Sequence, residues 1–64
     1  MRIDRIKLTT ELIRQDMTQK TLSEKSGVSR VTITGIKSGR SCSEETAEKL
    51  AKALKVPLKK LLED

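Results

Sequence analysis

Apolar residues recur along this chain at helical spacing, and no convincing stretch alternates with period two. Within residues 4–15, Ile6, Leu8, Leu12 and Ile13 fall near the helical period, and Asp4 stands where an N-cap belongs. Thr18 precedes a short segment, 19–25, that Ser26 and Gly27 close. A glycine there supplies the left-handed backbone of a tight helix exit. Ser29 caps a third segment, 30–37, which turns Ile33 and Ile36 inward and stops at Ser38 and Gly39. Ser43 caps a fourth, with Glu44 and Glu45 placed well for the helix dipole. Its Ala47, Leu50, Ala51 and Leu54 share one face. Pro57 opens a last short helix in which Leu58, Leu61 and Leu62 are apolar. The β-branched run 31–34 is the part that fits an all-α reading least, but it is short and flanked by caps. The expectation is an all-α, compact five-helix bundle forming a single domain over residues 1–64.

Composition narrows the possibilities. The chain has 64 residues, 34% of them apolar, with no aromatic residue, no His and one Cys. A domain of this size buries only about 60% of its unfolded surface. One Cys cannot form an intramolecular disulfide, and without His it cannot complete a structural zinc site. The fold must therefore rest on well-formed helices, on a partner subunit, or on both. Ser-His and Cys-His nucleophile pairs are excluded. No paired carboxylates stand at a credible site, and the chain has no room beside its core for a pocket of several hundred Å³. Neither enzyme activity, nor a metal, nor a cofactor, nor a small-molecule ligand is expected. No run approaches the roughly 20 apolar residues of a membrane helix. The first residues hold no apolar run of signal-peptide length. The expected compartment is a reducing cytoplasm.

Charge is uneven. The formal net charge is +5, and all of the excess lies in residues 1–42, because residues 43–64 carry five Lys against five acids. Such asymmetry fits a polyanionic partner, nucleic acid or an anionic membrane surface, or else a Lys-rich solvated surface. A membrane binder wants a continuous basic face opposite bulky apolar residues. Here short helices interrupt the basic residues.

The segment from Gln19 to Ile36 carries the functional information. Leu22, Gly27, Val28, Ile33 and Ile36 fall where two short helices and a tight turn need apolar or glycine positions. That is helix-turn-helix geometry, over about residues 18–37, with the second helix offered to the major groove of DNA. Arg30, Val31, Thr32, Thr34 and Gly35 are left facing outward. They lack the aromatic and Met anchors of a protein-binding groove.

In these residues the chain resembles the phage Cro and repressor-like helix-turn-helix family, also called XRE-like. The motifs are Met17-Thr18-Gln19-x-x-Leu22, Gly27-Val28-Ser29-Arg30-x-Thr32-Ile33, Ile36-x-Ser38-Gly39-Arg40, and Thr46-Ala47-x-Lys49-Leu50-Ala51-Lys52-Ala53-Leu54-x-Val56 with Leu61-Leu62. Each piece is weak alone, and together, in order, they are specific from about Ile6 to Leu62. The resemblance implies five helices with the DNA-reading helix third. Three departures stand out. Ser23 replaces the usual Ala. Leu12 and Lys37 replace an Arg and Glu that pair in many members, so both charges of that pair are absent together. Cys42 lies where many relatives have a Pro-containing loop.

The resemblance implies that Gln19 donates to a phosphate and braces the reading helix, and that Arg30 sits where base edges are contacted. Arg is able to bind guanine N7 and O6 with both arms of its fork. Val31 and Thr32 suit a thymine methyl or a hydroxyl contact, and Gly35 suits close approach to the groove floor. Thr18 caps the second helix, whose first amides suit an anion. By resemblance Ser38, Gly39, Arg40 and Ser41 form a phosphate-binding loop, to which Ser29 adds a further contact. Each of these residues also has a plain reading as a solvated side chain. Of the remaining basic residues, Arg5 or Arg14 is the one expected to reach the DNA backbone.

The leading expectation is a sequence-specific double-stranded DNA-binding regulator, a Cro-like repressor or activator. It is expected to act as a homodimer on a palindromic operator, with the helix at about 29–37 in the groove. The competing one is a protein-interaction module, such as an antitoxin or adaptor, that keeps the fold without base readout. Single-strand or RNA binding would use aromatic stacking, which this chain lacks.

Overall fold

Four of the helix starts follow from one local interaction repeated along the chain. In the computed structural model, which describes residues 1–63, a side-chain oxygen at each N-cap accepts backbone N–H groups of the turn it precedes. Asp4 caps α1 (Arg5–Arg14), Thr18 caps α2 (Gln19–Ser26), Ser29 caps α3 (Arg30–Lys37) and Ser43 caps α4 (Glu44–Leu54). Each such cap contributes about 1 kcal/mol. The exits are equally local. Gly27 takes positive φ, as expected, and so do Gly39 and two residues that are not glycines, Asp16 (52°) and Lys55 (58°).

The centre of the core is aliphatic, with Met17 and Cys42 packed at its edge. Leu8, Leu22, Ile33, Ile36, Leu50, Leu54 and Leu61 are fully buried. Burying each such side chain is worth about 1.5–3 kcal/mol. α2 packs against both α3 and α4. Leu22, Val28, Ile33 and Ile36 are all buried, which seats α3 on α2 as the spacing predicts. Ser23, the departure from alanine, joins that turn. Its Oγ donates to the Val28 carbonyl at 2.6 Å, and the Val28 N–H donates to Ser26 Oγ at 3.1 Å.

One expectation needs correction. Among the described residues the architecture has four α-helices, not five. The segment after Pro57 is a single 3-10 turn, Leu58–Lys60. Its backbone is drawn off before an α-helical turn closes. The Asp4 N–H donates to the Leu61 carbonyl at 2.7 Å, the Glu63 N–H donates to the Arg2 carbonyl at 3.2 Å, and Ile3 pairs with Leu62 in an isolated antiparallel bridge. That pairing also buries Ile3, a core residue the periodicity does not reveal. The four apolar positions near helical spacing in the first helix divide between two faces. Leu8 and Leu12 are buried, whereas Ile6 and Ile13 are exposed. At 100° per residue, Ile6 and Ile13 lie on the side opposite Leu8 and Leu12. Glu11 takes the inward place beside them and is buried, with its carboxylate accepting from Arg14 Nη1 at 3.1 Å.

Candidate nucleic-acid interface

With Ile33 and Ile36 turned into the core, the helical period aims Val31 straight outward. Val31 is 83% exposed. It forms a ridge between two shallow depressions. Arg30 and Thr34 share one with it. Thr32, Gly35, Arg40 and Ser41 line the other, which extends to the start of α4. The four residues expected at base edges, Arg30, Val31, Thr32 and Gly35, thus lie on one face. Thr34 stands among them. The outward pattern includes Thr34, but the expected base contacts leave it out. Its place four residues after Arg30 and three after Val31 is the signal that marks it.

Among the expected phosphate contacts, the hydroxyls of Thr18, Ser29 and Ser38 already have partners within the chain. Thr18 Oγ1 accepts the Thr21 N–H and shares a hydrogen bond with Thr21 Oγ1 at 3.1 Å. Ser29 Oγ accepts the Thr32 N–H and donates its proton to Thr32 Oγ1 at 2.9 Å. Ser38 Oγ donates to the Thr34 carbonyl at 3.0 Å. Ser29 and Ser38 commit their hydroxyl protons within the chain, and Thr18 commits its oxygen to the cap of α2. The groups left to reach an anion are the first amides of α2 and α3, Gln19, Arg40 and Ser41. Thr32 keeps its own hydroxyl proton to donate.

The loop after α3 is built to hold Arg40 against the reading helix. Gly39 has φ 102°, its N–H donates to the Ile36 carbonyl, and the Arg40 N–H reaches back to the Gly35 carbonyl, both at 3.0 Å. This paired closure is the Schellman exit. The Arg40 side chain then folds over Gly35. A Cβ placed on Gly35 would stand 3.3 Å from Arg40 Cδ. Gly35 therefore makes room for an arginine of its own chain. Among the described residues, no carboxylate pairs with Arg30 or Arg40, so both charges face outward uncompensated.

Other basic residues point elsewhere. Arg14 is paired with Glu11 at 3.1 Å. Lys37, in the last turn of α3, lies beside α1, where it lines a depression with Arg5 and Ile6. Cys42 is half-buried at the foot of the loop, and its N–H donates to the Met1 carbonyl at 2.9 Å. Burial raises the pKa of its thiol above the usual value, with the N-terminal ammonium partly opposing the shift.

Comparison with known families fits this geometry. The helix-turn-helix family model, of the XRE type, matches residues 10–61. The chain belongs to this family. As an XRE-type helix-turn-helix protein it carries a DNA-binding domain of the transcription-regulator type. The match contains all of α2, α3 and α4 and begins inside α1. No curated protein and no solved structure matches the chain. Among the described residues, no helix is long and apolar enough to cross a membrane.

Proposed function

We propose that this XRE-type protein is a sequence-specific double-stranded DNA-binding regulator that lays α3 in the major groove. The observation that carries the reading is the outer face of α3, where Arg30, Val31 and Thr34 stand exposed on a helix whose opposite side is seated in the core. Arg30 reads guanine N7 and O6, Val31 meets a thymine methyl, and the Thr32 hydroxyl donates to a base acceptor. Gly35 lets Arg40 lie flat along the helix, toward one strand's phosphates. Gln19, Ser41 and the first amides of α2 and α3 fix the register on the backbone. Thr18, Ser29 and Ser38 serve that register through the helix starts and loop they hold.

The length of α3 supports action in pairs. Its eight residues span about 12 Å, or roughly four base pairs at about 3.4 Å each. Four base pairs distinguish only about 256 sequences, far fewer than the 10⁶ or more competing sites of a genome. Two copies on a palindromic operator, with half-sites about 34 Å apart, double the length read. The protein then represses or activates by occupying its site, with no chemistry of its own.

The test is selection of bound duplexes from a randomised pool at about 0.15 M salt, beside Arg30→Ala. Enrichment of a two-fold symmetric site whose guanine preference disappears in the variant is the expected result. Weak binding without enrichment, lost as salt rises, would overturn the reading.

A further inference from the structure

The outward face of α1 is apolar where a solvated helix would carry charge. Ile6 and Ile13 are 69% and 74% exposed. They are seven residues apart, so they lie on one line of the helix, with exposed Thr10 between them. Scattered surface hydrophobics need no explanation. Two β-branched residues on one line of a ten-residue helix are different, because each also lowers helix propensity.

Basic groups stand on both sides of this line. Ile6 and Thr10 separate two depressions. Arg5 and Lys37 border one, and Lys59 and Lys60 border the other. None of these four cations pairs with a carboxylate among the described residues. Of the acids around the line, Glu11 is buried and paired with Arg14, Asp4 is engaged as the N-cap of α1 by the Ile6 and Lys7 N–H groups, Glu63 pairs with Arg2, and Asp16 lies past Ile13 at the end of the helix. The surface is an apolar ridge between two positive banks. None of these residues belongs to the face of α3 proposed to read DNA.

We propose that the outer face of α1 docks an amphipathic helix of a partner protein, with acidic residues flanking that helix's apolar stripe. Isoleucine side chains at i and i+7 have the spacing of anchors on one face of an amphipathic helix, so α1 packs its ridge against the partner helix's apolar stripe. The positive banks choose the partner's sign. A second copy of this chain meets the opposite condition, because a two-fold contact across α1 brings Arg5, Lys37, Lys59 and Lys60 toward their own images. The ridge of α1 and the outer face of α3 are different faces, and they meet at the depression that Arg5 and Ile6 share with Ser38 and Gly39.

The probe is a side-chain-stapled helical peptide of about four turns, with leucines along one stripe and glutamates on both flanks. A control peptide carries lysines in place of the glutamates. Each is titrated into the ¹⁵N-labelled full chain. The expected result is binding of the glutamate peptide, with shift changes confined to α1, Lys37, Lys59 and Lys60. The lysine peptide should bind at least about tenfold more weakly. Ile6→Ser with Ile13→Ser should lose the glutamate peptide while keeping the circular dichroism spectrum and the affinity for duplex DNA. Equal binding of both peptides, or of neither, overturns the proposal. So does self-association in sedimentation that the double variant abolishes, which would put a second copy on the face. Isoleucine-dependent binding to anionic phospholipid vesicles without peptide binding would assign the face to a lipid surface and equally overturn it.

Discussion

The Arg2 guanidinium donates through Nη2 to the Gly39 carbonyl at 2.8 Å, tying the start of the chain to the loop that follows the reading helix. The same side chain lies 3.3 Å from Glu63 Oε1, and the Arg2 carbonyl accepts the Glu63 N–H. Three distant parts of the chain thus meet at one residue. Both partners of the Arg2–Glu63 pair are about half exposed, so the pair contributes little by itself. Its importance lies in the loop. Gly39 precedes Arg40, and the Met1 carbonyl holds the far side of the loop through the Cys42 N–H.

Arg2→Ala should therefore lower stability by less than about 1 kcal/mol, the scale of an exposed charged hydrogen bond. Amide exchange in residues 39–42 should rise more than elsewhere. Affinity should fall by a similar factor for every duplex, because a loosened phosphate loop affects position and not sequence. Hydrogen exchange and competition binding with matched and scrambled duplexes check this. A change in base preference would show that Arg2 acts on the reading helix itself.

A second expectation concerns the left-handed exits of α1 and α4. Asp16 and Lys55 occupy a conformation that costs an L-residue about 1–2 kcal/mol, against about 0.5–1 kcal/mol of extra chain entropy for glycine. Lys55→Gly should raise unfolding free energy by about 0.5–1 kcal/mol. Asp16→Gly should gain less, since Asp tolerates the left-handed region better than Lys does. Urea denaturation of the two variants beside the parent decides the order.

These helix ends show what could be read from sequence. Asp4, Thr18, Ser29, Ser43 and Gly27 act on residues a few places away, and their roles are legible in order along the chain. The pairing of Ile3 with Leu62 is not legible, because nothing local marks two residues from opposite ends as neighbours. That pairing turned the expected fifth helix into one 3-10 turn. The outward place of Ile6 and Ile13 is hidden for a simpler reason. Four apolar residues near helical spacing suggest one stripe, but only Leu8 and Leu12 share the inward side, and a carboxylate took the remaining place. At the candidate site, the outward face of α3 was legible from Ile33 and Ile36 alone. The bond from the Ser38 hydroxyl to the Thr34 carbonyl was not, and although the Thr18 and Ser29 caps were legible, the same atoms were also expected at a phosphate.

Glu11 offers a third test. It is 7% exposed, and its partner Arg14 is largely in solvent. Gln15 Nε2 donates to the Leu54 carbonyl at 2.7 Å and lies 3.4 Å from Glu11 Oε2. Replacing a buried ionic group by an apolar one of similar size is often neutral or stabilising, provided no charge is left buried alone. Arg14 meets that condition, because it can turn to water. Glu11→Leu should thus leave stability unchanged or raise it by up to about 1 kcal/mol. A loss above about 2 kcal/mol in denaturant unfolding would mean that the carboxylate organises the end of α1 in a way its two contacts do not explain.

Gly35→Ala separates stability from binding. Alanine favours a helix interior over glycine by about 1 kcal/mol. The only tight neighbour of the new methyl is Arg40 Cδ at 3.3 Å, on an exposed and flexible side chain that can move aside. The variant should be more stable by about 0.5–1 kcal/mol. Arg40 would then no longer lie flat along α3, and the affinity for the selected duplex should fall several-fold. If Arg40 is what Gly35 accommodates, Arg40→Ala and the double variant should bind equally weakly, since the glycine has no further role once the arginine is gone. Additive losses in that cycle would instead place the groove floor itself against Gly35. Thermal unfolding and binding on the same four proteins distinguish the two accounts.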